Sequence, residues 1–357
     1  MRALGQSRQS FVTCNIYVSA GRTDRAPILV DLLRRAQERC ILLRRDHLTP
    51  NPGLRETRNP IAIVHAFADI PYDRSSFHIA GKPDCVVDVA SFIALRALRA
   101  LVVANNETSQ GLPKEVSRHP FVGVVDHISV MPLAASNIEY DNKEDCEPIG
   151  SLVCDTHGQT AQLIGKAIGD AGAKIIYYGS ADPQGASLAK VRREKTNFFN
   201  SGGLAKPGDD IGAKFGNDES GSGGFGVATV GAPPTFVENF NIRLSSKCSK
   251  VQARSLARRV RKRDGGIVGV EALALPYTEG RWEVACNLLQ PSTGTSDMIL
   301  QEAERWAREQ DWSHLIEGGY RVGTTADQCM KVLDRPTTEL IQHDQMVYER
   351  FAAYFIS

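Results

Sequence analysis

Apolar and polar residues follow one another along this chain in two distinct patterns. Short apolar runs bounded by polar segments predict strands. In the first half these runs are residues 15–19, 61–65, 75–80, 122–128 and 174–178. Apolar side chains spaced three or four positions apart predict helices. They recur over residues 24–40, 84–104 and 156–172. The first half should therefore alternate strands with helices that cover them.

The second half shows a clearer order of elements. Strands are predicted at residues 236–244, 267–275, 282–289 and 316–321, and helices at 248–263 and 297–310. The first of these helices should turn Val251, Leu256 and Val260 inward. Strand–helix–strand–strand–helix–strand is the split-βαβ or ferredoxin-like order, with helices on one face of an antiparallel sheet. The first half fits the same order with insertions. We therefore predict an α/β (α+β) fold of two ferredoxin-like βαββαβ subdomains.

A change in composition separates the two halves. Residues 200–231 are dense in glycine, with Lys, Asp and Ser, which is typical of a loop or an interdomain crossing. We predict an N-terminal subdomain at residues 11–205, a C-terminal subdomain at 206–335 and a helical extension at 336–357. The predicted docking face of that extension consists of Leu340, Met346, Val347, Phe351 and Tyr354.

Length and charge limit the functional classes. The 357 residues include 42 Lys plus Arg and 41 Asp plus Glu, so the formal charge of +1 argues against a nucleic-acid binder. No uncharged apolar run is long enough to span a membrane, and residues 1–10 do not resemble a secretory signal. We therefore expect a cytoplasmic protein without a membrane span.

The cysteine pattern predicts no metal site. Eight cysteines lie far apart, and no two of them form a C-x-x-C pair. In such a chain we expect reduced thiols that act as small apolar residues. A zinc site would need clustered Cys and His ligands.

Two segments have compositions associated with ligand binding. Residues 221–226 satisfy G-x-G-x-x-G, but they follow a polar loop and lead into Pro233-Pro234, so a dinucleotide fold is not predicted. Glycines there would still let the backbone approach a flat ligand. The cluster Arg258, Arg259, Arg261 and Arg263 ends a predicted helix. It is either a solvated helix end or a surface that attracts a small polyanion.

His119 is the best candidate for acid–base chemistry. It precedes Pro120, which favours an extended backbone, and it stands just ahead of a buried strand, where reacting side chains are often presented. Imidazole can accept and release a proton near neutrality. The alternative is a surface or capping histidine. His127, inside the apolar strand, is expected to be a hydrogen-bonded structural residue.

Several short motifs occur in an order that matches a known family. His119-Pro120 is followed by Gly123 and Asp126, and this segment resembles the catalytic-histidine motif of the formiminotransferase domain in the formimidoyltransferase–cyclodeaminase family. Residues 73–81, 177–179 and 284–288 resemble further family elements. The resemblance covers residues 11–335 and is strongest to single-domain plant relatives. No residues remain for the family's cyclodeaminase domain.

The resemblance implies a fold, a ligand and a reaction. It implies a tunnel between the two subdomains that holds tetrahydrofolate as the one-carbon carrier, and it implies a homodimer. In the implied reaction a formimino or formyl group moves between glutamate and N5 of tetrahydrofolate, with N-formimino-glutamate as one donor. His119 would be the catalytic proton carrier, and no metal is implied. The implied substrate-binding residues are Gly216, Phe225, Gly226, Gly231, Asp126 and Asn287.

Some positions depart from the family pattern. Arg118 replaces an acidic neighbour of the histidine, and Tyr17 and Ala20 stand where the family has Asn and Glu. A cation near His119 should lower its pKa, and we expect the rate to depend on one ionisation near neutrality. The alternative function is a catalytically impaired folate-binding or partner-binding protein that keeps the fold. A membrane-trafficking scaffold has no signature beyond the basic helix. In the folate hypothesis, that helix would attract polyglutamylated folate.

Overall fold

The chain forms two β-sheets with helices packed against them. The computed structural model describes residues 11–46, 58–108, 119–133, 155–196, 198 and 227–356. The first sheet contains β1 (Phe11–Val18), β2 (Ile61–Asp69), β3 (Arg74–Gly81), β4 (Val125–Leu133), β5 (Lys174–Gly179) and β6 (Val227–Ala232). The second contains β7 (Glu238–Leu244), β8 (Val270–Pro276), β9 (Trp282–Leu288) and β10 (Ile316–Val322). The helices are α1 (Ala26–Asp46), α2 (Pro83–Thr108), α3 (Thr156–Asp170), α4 (Leu188–Glu194), α5 (Lys250–Val260), α6 (Ser296–Glu309), α7 (Ala326–Leu333) and α8 (Thr337–Ala353).

Strand order confirms the predicted α+β fold. The second sheet runs β10-β7-β9-β8 and is antiparallel throughout. The first runs β2-β3-β1-β4-β6-β5, and its first four strands form the same antiparallel arrangement. In both units the first strand of a βαββαβ segment lies between the third and the fourth. Two ferredoxin-like units are therefore present, and β6 and β5 extend the first sheet in parallel.

One strand lies inside the segment predicted as a loop. The prediction of loop over residues 200–231 is wrong at its end, where β6 inserts between β4 and β5. A strand paired in parallel on both edges is a short apolar run without alternation. Only four residues, 227–230, form this apolar run before Gly231. A run that short does not indicate a strand within a glycine-rich segment. The predicted boundary at residue 205 lies outside the described residues and stays a prediction.

Each sheet has one apolar face covered by helices. The opposite face of the first sheet carries polar residues beside a second apolar cluster, which packs against α7. In β1, Cys14, Ile16 and Val18 are buried under α1, α2 and α3. Successive strand residues point to opposite faces, so Asn15 and Tyr17 lie on the other face. Burying each large apolar side chain contributes about 1.5–3 kcal/mol, which fixes this register. In the second sheet α5 and α6 cover the corresponding apolar face.

Helix ends explain two wrong predictions. Ser249 and Gln252 form a capping box that starts α5, and this places Val251 in the outer part of the first turn. Val251 is 73% exposed, whereas Leu256 and Val260 are buried as predicted. At the other end of the chain, Leu340, Val347 and Phe351 of α8 are buried as predicted, and Tyr354 is not.

Cysteines, membrane spans and metal clusters can be assessed only within the described ranges. The six cysteines found there are buried and free, and burial raises the pKa of Cys40 to about 12. Every helix in those ranges is too short or too polar to cross a bilayer. The same residues contain no group of three or more His, Cys, Asp or Glu side chains arranged for a metal ion.

Candidate functional site

The polar faces of the two sheets meet, and the candidate site lies between them. Tyr17 of β1 donates a hydrogen bond to Asn239 Oδ1 of β7 at 3.3 Å. Beside it, Tyr72 in the turn between β2 and β3 donates to Glu283 Oε2 of β9 at 3.4 Å. The predicted tunnel would run between these faces, and it stays a prediction.

Two arginines share one buried carboxylate on the first sheet. Asp126 Oδ2 accepts from Arg74 Nη2 at 2.5 Å and from Arg192 Nη2 at 3.3 Å. Its Oδ1 accepts from the Val122 amide at 2.6 Å. Asp126 is fully buried, and both arginine side chains are 11% exposed. The cluster of Arg74, Asp126 and Arg192 therefore carries one more positive than negative charge in a nearly dry place, and is called the arginine cluster below.

His119 contacts the arginine cluster directly. Arg74 Nη1 lies 2.5 Å from His119 Nδ1 and 3.2 Å from Nε2, and the Pro120 carbonyl lies 2.6 Å from Nδ1. A carbonyl can only accept, so we assign the ring proton to Nδ1, where it points to Pro120. Arg74 Nη1 then donates to Nε2, and its closer approach to Nδ1 is a contact between two donors rather than a hydrogen bond. The rings of Tyr72 and Phe198 approach the imidazole edge-on, with centroids 5.4 and 6.5 Å away.

The surroundings of His119 favour its neutral form. Burial, followed by the Arg74 guanidinium, holds the pKa of His119 well below its ordinary value of 6.5. Arg192 acts in the same direction, and the Pro120 carbonyl opposes them. This direction disagrees with an ionisation near neutrality, and the pH dependence of the rate stays a prediction. At pH 7 this imidazole is a base that can take up a proton, rather than an acid already carrying one.

A set of stacked rings continues the site along the sheet. The Tyr17 and His127 rings stack at a centroid distance of 5.6 Å with an angle of 10°, and the Arg74 guanidinium lies over Tyr17 at 4.9 Å. His127 Nε2 and the Tyr178 hydroxyl are 2.8 Å apart. The prediction of His127 as a hydrogen-bonded residue is confirmed. Burial, then Arg192 and Arg74, holds the pKa of His127 well below its ordinary value.

Residues 11–233 match the formiminotransferase domain, N-terminal subdomain. The chain belongs to the formiminotransferase domain family. It is also 29% identical, over 332 residues, to the formiminotransferase cyclodeaminase-like protein of Arabidopsis thaliana, and this alignment covers 91% of the chain and 96% of that protein. Among solved structures, the periplasmic protease PqqL from Escherichia coli aligns with 99% of the chain and 40% of its own length at 9% identity. Its TM-score of 0.18 supports no conclusion.

Within this formiminotransferase domain, three predicted site residues lie on one connected surface. His119 and Asp126 are joined through Arg74. Asn287 of β9 accepts from Asn239 Nδ2 at 2.7 Å, and Asn239 accepts from Tyr17. The fold therefore connects Asn287, 168 positions beyond His119 in the chain, to the face that bears the histidine.

The predicted glycine loop is only partly described. Gly216, Phe225 and Gly226 lie outside the described residues, and their role stays a prediction. Gly231, predicted in that loop, instead lies in β6. A Cβ added there would come within 2.3 Å of the Tyr178 ring and 2.4 Å of its carbonyl oxygen. Because Gly231 has no side chain, Tyr178 can pack directly against β6, and from there its hydroxyl reaches His127.

Sequence reasoning missed both arginines of the cluster. Arg74 belongs to the segment 73–81 that resembles the family, but nothing in the sequence pattern indicates which side chain it contacts. Arg192 lies on α4, a helix of seven residues that was not predicted. Its guanidinium lies over Phe198 at 4.1 Å and reaches Asp126 across 66 positions of sequence. Such a contact has no signal in a single sequence.

α5 packs on the face of the second sheet opposite to this site, although Arg263 beyond its end interacts with Glu271, as Arg192 of the arginine cluster does. α5 covers the apolar face of the second sheet, whereas Asn239 and Asn241 are on the other face. Arg259 pairs with Glu302 and Glu309, and Arg261 pairs with Asp264. A role in attracting polyglutamylated folate stays a prediction.

Proposed function

We propose that this chain is a folate-dependent transferase, which moves a formimino or formyl group between glutamate and N5 of tetrahydrofolate. The observation that carries the proposal is the contact between the buried, neutral His119 and the arginine cluster. Both lie on the face of the first sheet that meets the polar face of the second sheet. Membership of the formiminotransferase domain family supports the same reaction class. Folate is a substrate here, taken to lie between the two polar faces.

The transfer needs one proton moved between two nitrogens. In one direction N5 of tetrahydrofolate forms a bond to the carbon of the one-carbon group, and the bond from that carbon to the glutamate nitrogen breaks. His119 Nε2 accepts the proton that N5 loses and returns it to the glutamate nitrogen. The Pro120 carbonyl holds the ring proton on Nδ1 throughout, which orients Nε2 for this exchange.

Arg74 has a second part in this proposal. Its Nη1 donates to Nε2 when the histidine is idle, at 3.2 Å. When Nε2 accepts the substrate proton, the Arg74 Nη1–H group is free to donate to the substrate atom on which negative charge develops. Preorganised donors in a buried site stabilise such charge without reorganising. Asp126 and the Val122 amide hold the arginine in place.

The experiment is a turnover assay on the full chain. It supplies tetrahydrofolate with N-formimino-glutamate, and in parallel 5-formyl-tetrahydrofolate with glutamate, and products are measured by mass spectrometry. Product that requires both substrates and the protein supports the proposal. Saturable folate binding without any product would instead establish the alternative, a folate-binding protein without the chemistry.

A further inference from the structure

β5 is the last strand of the first sheet, and most of its outer edge is open within the described residues. Its inner edge pairs in parallel with β6 over its whole length. Backbone groups of successive strand residues point to opposite edges. The Gly179 amide points outward, since it donates to the Ala186 carbonyl at 2.8 Å. Ile175 and Tyr177 lie two and four positions before it, so their N–H and C=O groups also point outward.

The opposite edge of the same sheet is covered. There the carbonyl of Ile61 in β2 accepts from the Arg44 guanidinium at 2.9 Å. The Ile63 carbonyl of β2 lies 3.2 Å from His343 Nε2 of α8. Proteins cover or interrupt edge strands in this way because an open edge is a template for a further strand. In the described part of the chain, β5 has such cover only at its last residue.

A groove of about 840 Å³ lies between β5 and α3 and follows this edge. The side chains of Ile175 and Tyr177 line it and pack against two glycines of the helix. A Cβ on Gly165 would lie 2.6 Å from the Tyr177 ring, and one on Gly169 would lie 3.5 Å from Ile175. α3 therefore runs antiparallel to β5. Leu163, which also lines the groove, is 55% exposed, so an apolar surface accompanies the open backbone groups.

The open edge is complementary to itself. A two-fold axis at Ile176 would place Ile175 of one copy opposite Tyr177 of another in an antiparallel pair. Both residues point their backbone groups outward, so each pair would exchange two N–H···O bonds. Their side chains would form a favourable aromatic and β-branched pair in the groove. The second copy of β5 would begin opposite Tyr178, which leaves out Gly179, whose amide already has a partner.

Charges beside the edge fit the same axis. Lys166 and Asp170 of α3 follow the two glycines, so they lie at the levels of Tyr177 and Ile175 along the edge. They pair with each other at 2.6 Å and are 68% and 66% exposed. Because the axis brings Ile175 opposite Tyr177, it also brings Lys166 opposite Asp170 of the second copy. Opposite charges would therefore face each other on both sides of the axis.

We propose that β5 and α3 form the surface through which two copies of this chain associate. β5 of one copy pairs antiparallel with β5 of the other about a two-fold axis at Ile176, and the two first sheets become one continuous sheet. The contact is isologous, since each copy contributes the same patch. The occupant is a second copy rather than a different protein, because backbone register, apolar side chains and charges are all complementary to themselves.

The first test removes one outward backbone donor. Sedimentation of the full chain at micromolar concentration should show a species with twice the mass of one chain. Ile175→Pro removes an N–H that does not bond to β6, and proline is tolerated at such edge positions. We expect this variant to be folded by circular dichroism and monomeric, whereas the control Ile175→Val should stay dimeric. A monomeric wild-type chain, or a folded Ile175→Pro variant that stays dimeric, overturns the inference.

The second test reverses the charges and does not depend on proline. Lys166→Asp and Asp170→Lys each place like charges opposite each other at both symmetric contacts. The dissociation constant of the dimer should rise by about tenfold or more in each variant, and less in high salt.

Mixing the two charge variants in equal amounts should restore dimers of about wild-type affinity, because every contact in a mixed dimer joins opposite charges. Neither chain regains its own Lys166–Asp170 pair in the mixture, so recovery cannot come from within α3. A mixture that associates as weakly as the single variants overturns the inference.

Discussion

At the residue scale, Arg74 is the side chain that joins the parts of the site. It contacts His119, Asp126 and Tyr17, which come from a loop and two different strands. Replacing it with Gln removes the strongest charge that lowers the pKa of His119, while burial remains. In the proposed function the neutral imidazole is the active form, so the rate should be lost as the pH falls through that pKa.

The rate profile should therefore shift in a defined direction. In wild type the rate should stay level through neutrality and fall only at pH values well below 6.5. In Arg74→Gln the fall should begin at a pH higher by about one unit, the usual effect of one nearby charge. Arg96→Gln, which removes a partly exposed arginine of α2, should leave the profile unchanged. Superimposable profiles for wild type and Arg74→Gln would refute this electrostatic account.

His119 could be predicted from the sequence, whereas the residues around it could not. His119 stood out because a proline follows it and a buried strand begins just beyond, and both are local features. Its partners Arg74 and Arg192 are 45 and 73 positions away along the chain. They meet through sheet pairing and a short helix, which leave no local pattern. The candidate histidine was thus predictable from the sequence, but the charges that add to burial in lowering its pKa were not.

At the scale of elements, α8 is held by a buried ion pair. Arg44 of α1 donates to Asp344 of α8 at 2.7 Å and to the Ile61 carbonyl at 2.9 Å, with side-chain exposures of 5% and 8% for the pair. Gln37 of α1 donates to the Asp344 carbonyl at 2.7 Å. The apolar contacts of α8 were predictable from helical spacing, whereas this polar attachment was not.

Removing one partner of that pair should destabilise the fold. Asp344→Ala leaves the Arg44 charge buried, so urea unfolding should show a loss of about 3–5 kcal/mol. The matched control is Asp31→Ala, which breaks exposed pairs with Arg34 and Arg35 and should cost about 0–1 kcal/mol. Similar losses for the two variants would contradict the role given to the buried pair.

Long periodic elements were predictable and short buried ones were not. The ferredoxin-like order could be read from the second half because each strand there alternates and each helix repeats over several turns. β6 and α4 have six and seven residues, too few for a period to show. These two elements complete the site, since β6 carries Gly231 beneath Tyr178 and α4 carries Arg192.

At the scale of the whole molecule, burial of histidine makes stability depend on pH. Burial lowers the pKa of six histidines in the described residues, and that of His65 falls to about 4. The others are His78, His119, His127, His157 and His343. In the unfolded chain these histidines bind protons near pH 6.5, whereas in the folded chain they bind them only at lower pH. The free energy of unfolding therefore falls as the pH falls below about 7.

A few carboxyl groups oppose this trend. Burial raises the pKa of Asp69, Asp73, Glu271 and Glu283, so their contribution to stability is present at low pH and lost as the pH rises. The histidines outnumber them, and urea unfolding should show lower stability at pH 5.5 than at pH 7.5. His65→Gln should reduce this slope by up to about 1.4 kcal/mol per pH unit, and His314→Gln, at an exposed residue, is the control variant. Stability that rises on acidification would contradict the account.

The most direct test of the central claim is His119→Ala, measured for turnover, tetrahydrofolate affinity and melting temperature on the same sample. If His119 carries the proton, kcat should fall by about 10²–10⁴-fold, while folate affinity and melting temperature stay close to wild type. If the histidine is only structural, the melting temperature and the yield of folded protein should fall instead. A folded His119→Ala variant with wild-type turnover would contradict the claim that this site transfers a one-carbon group through His119.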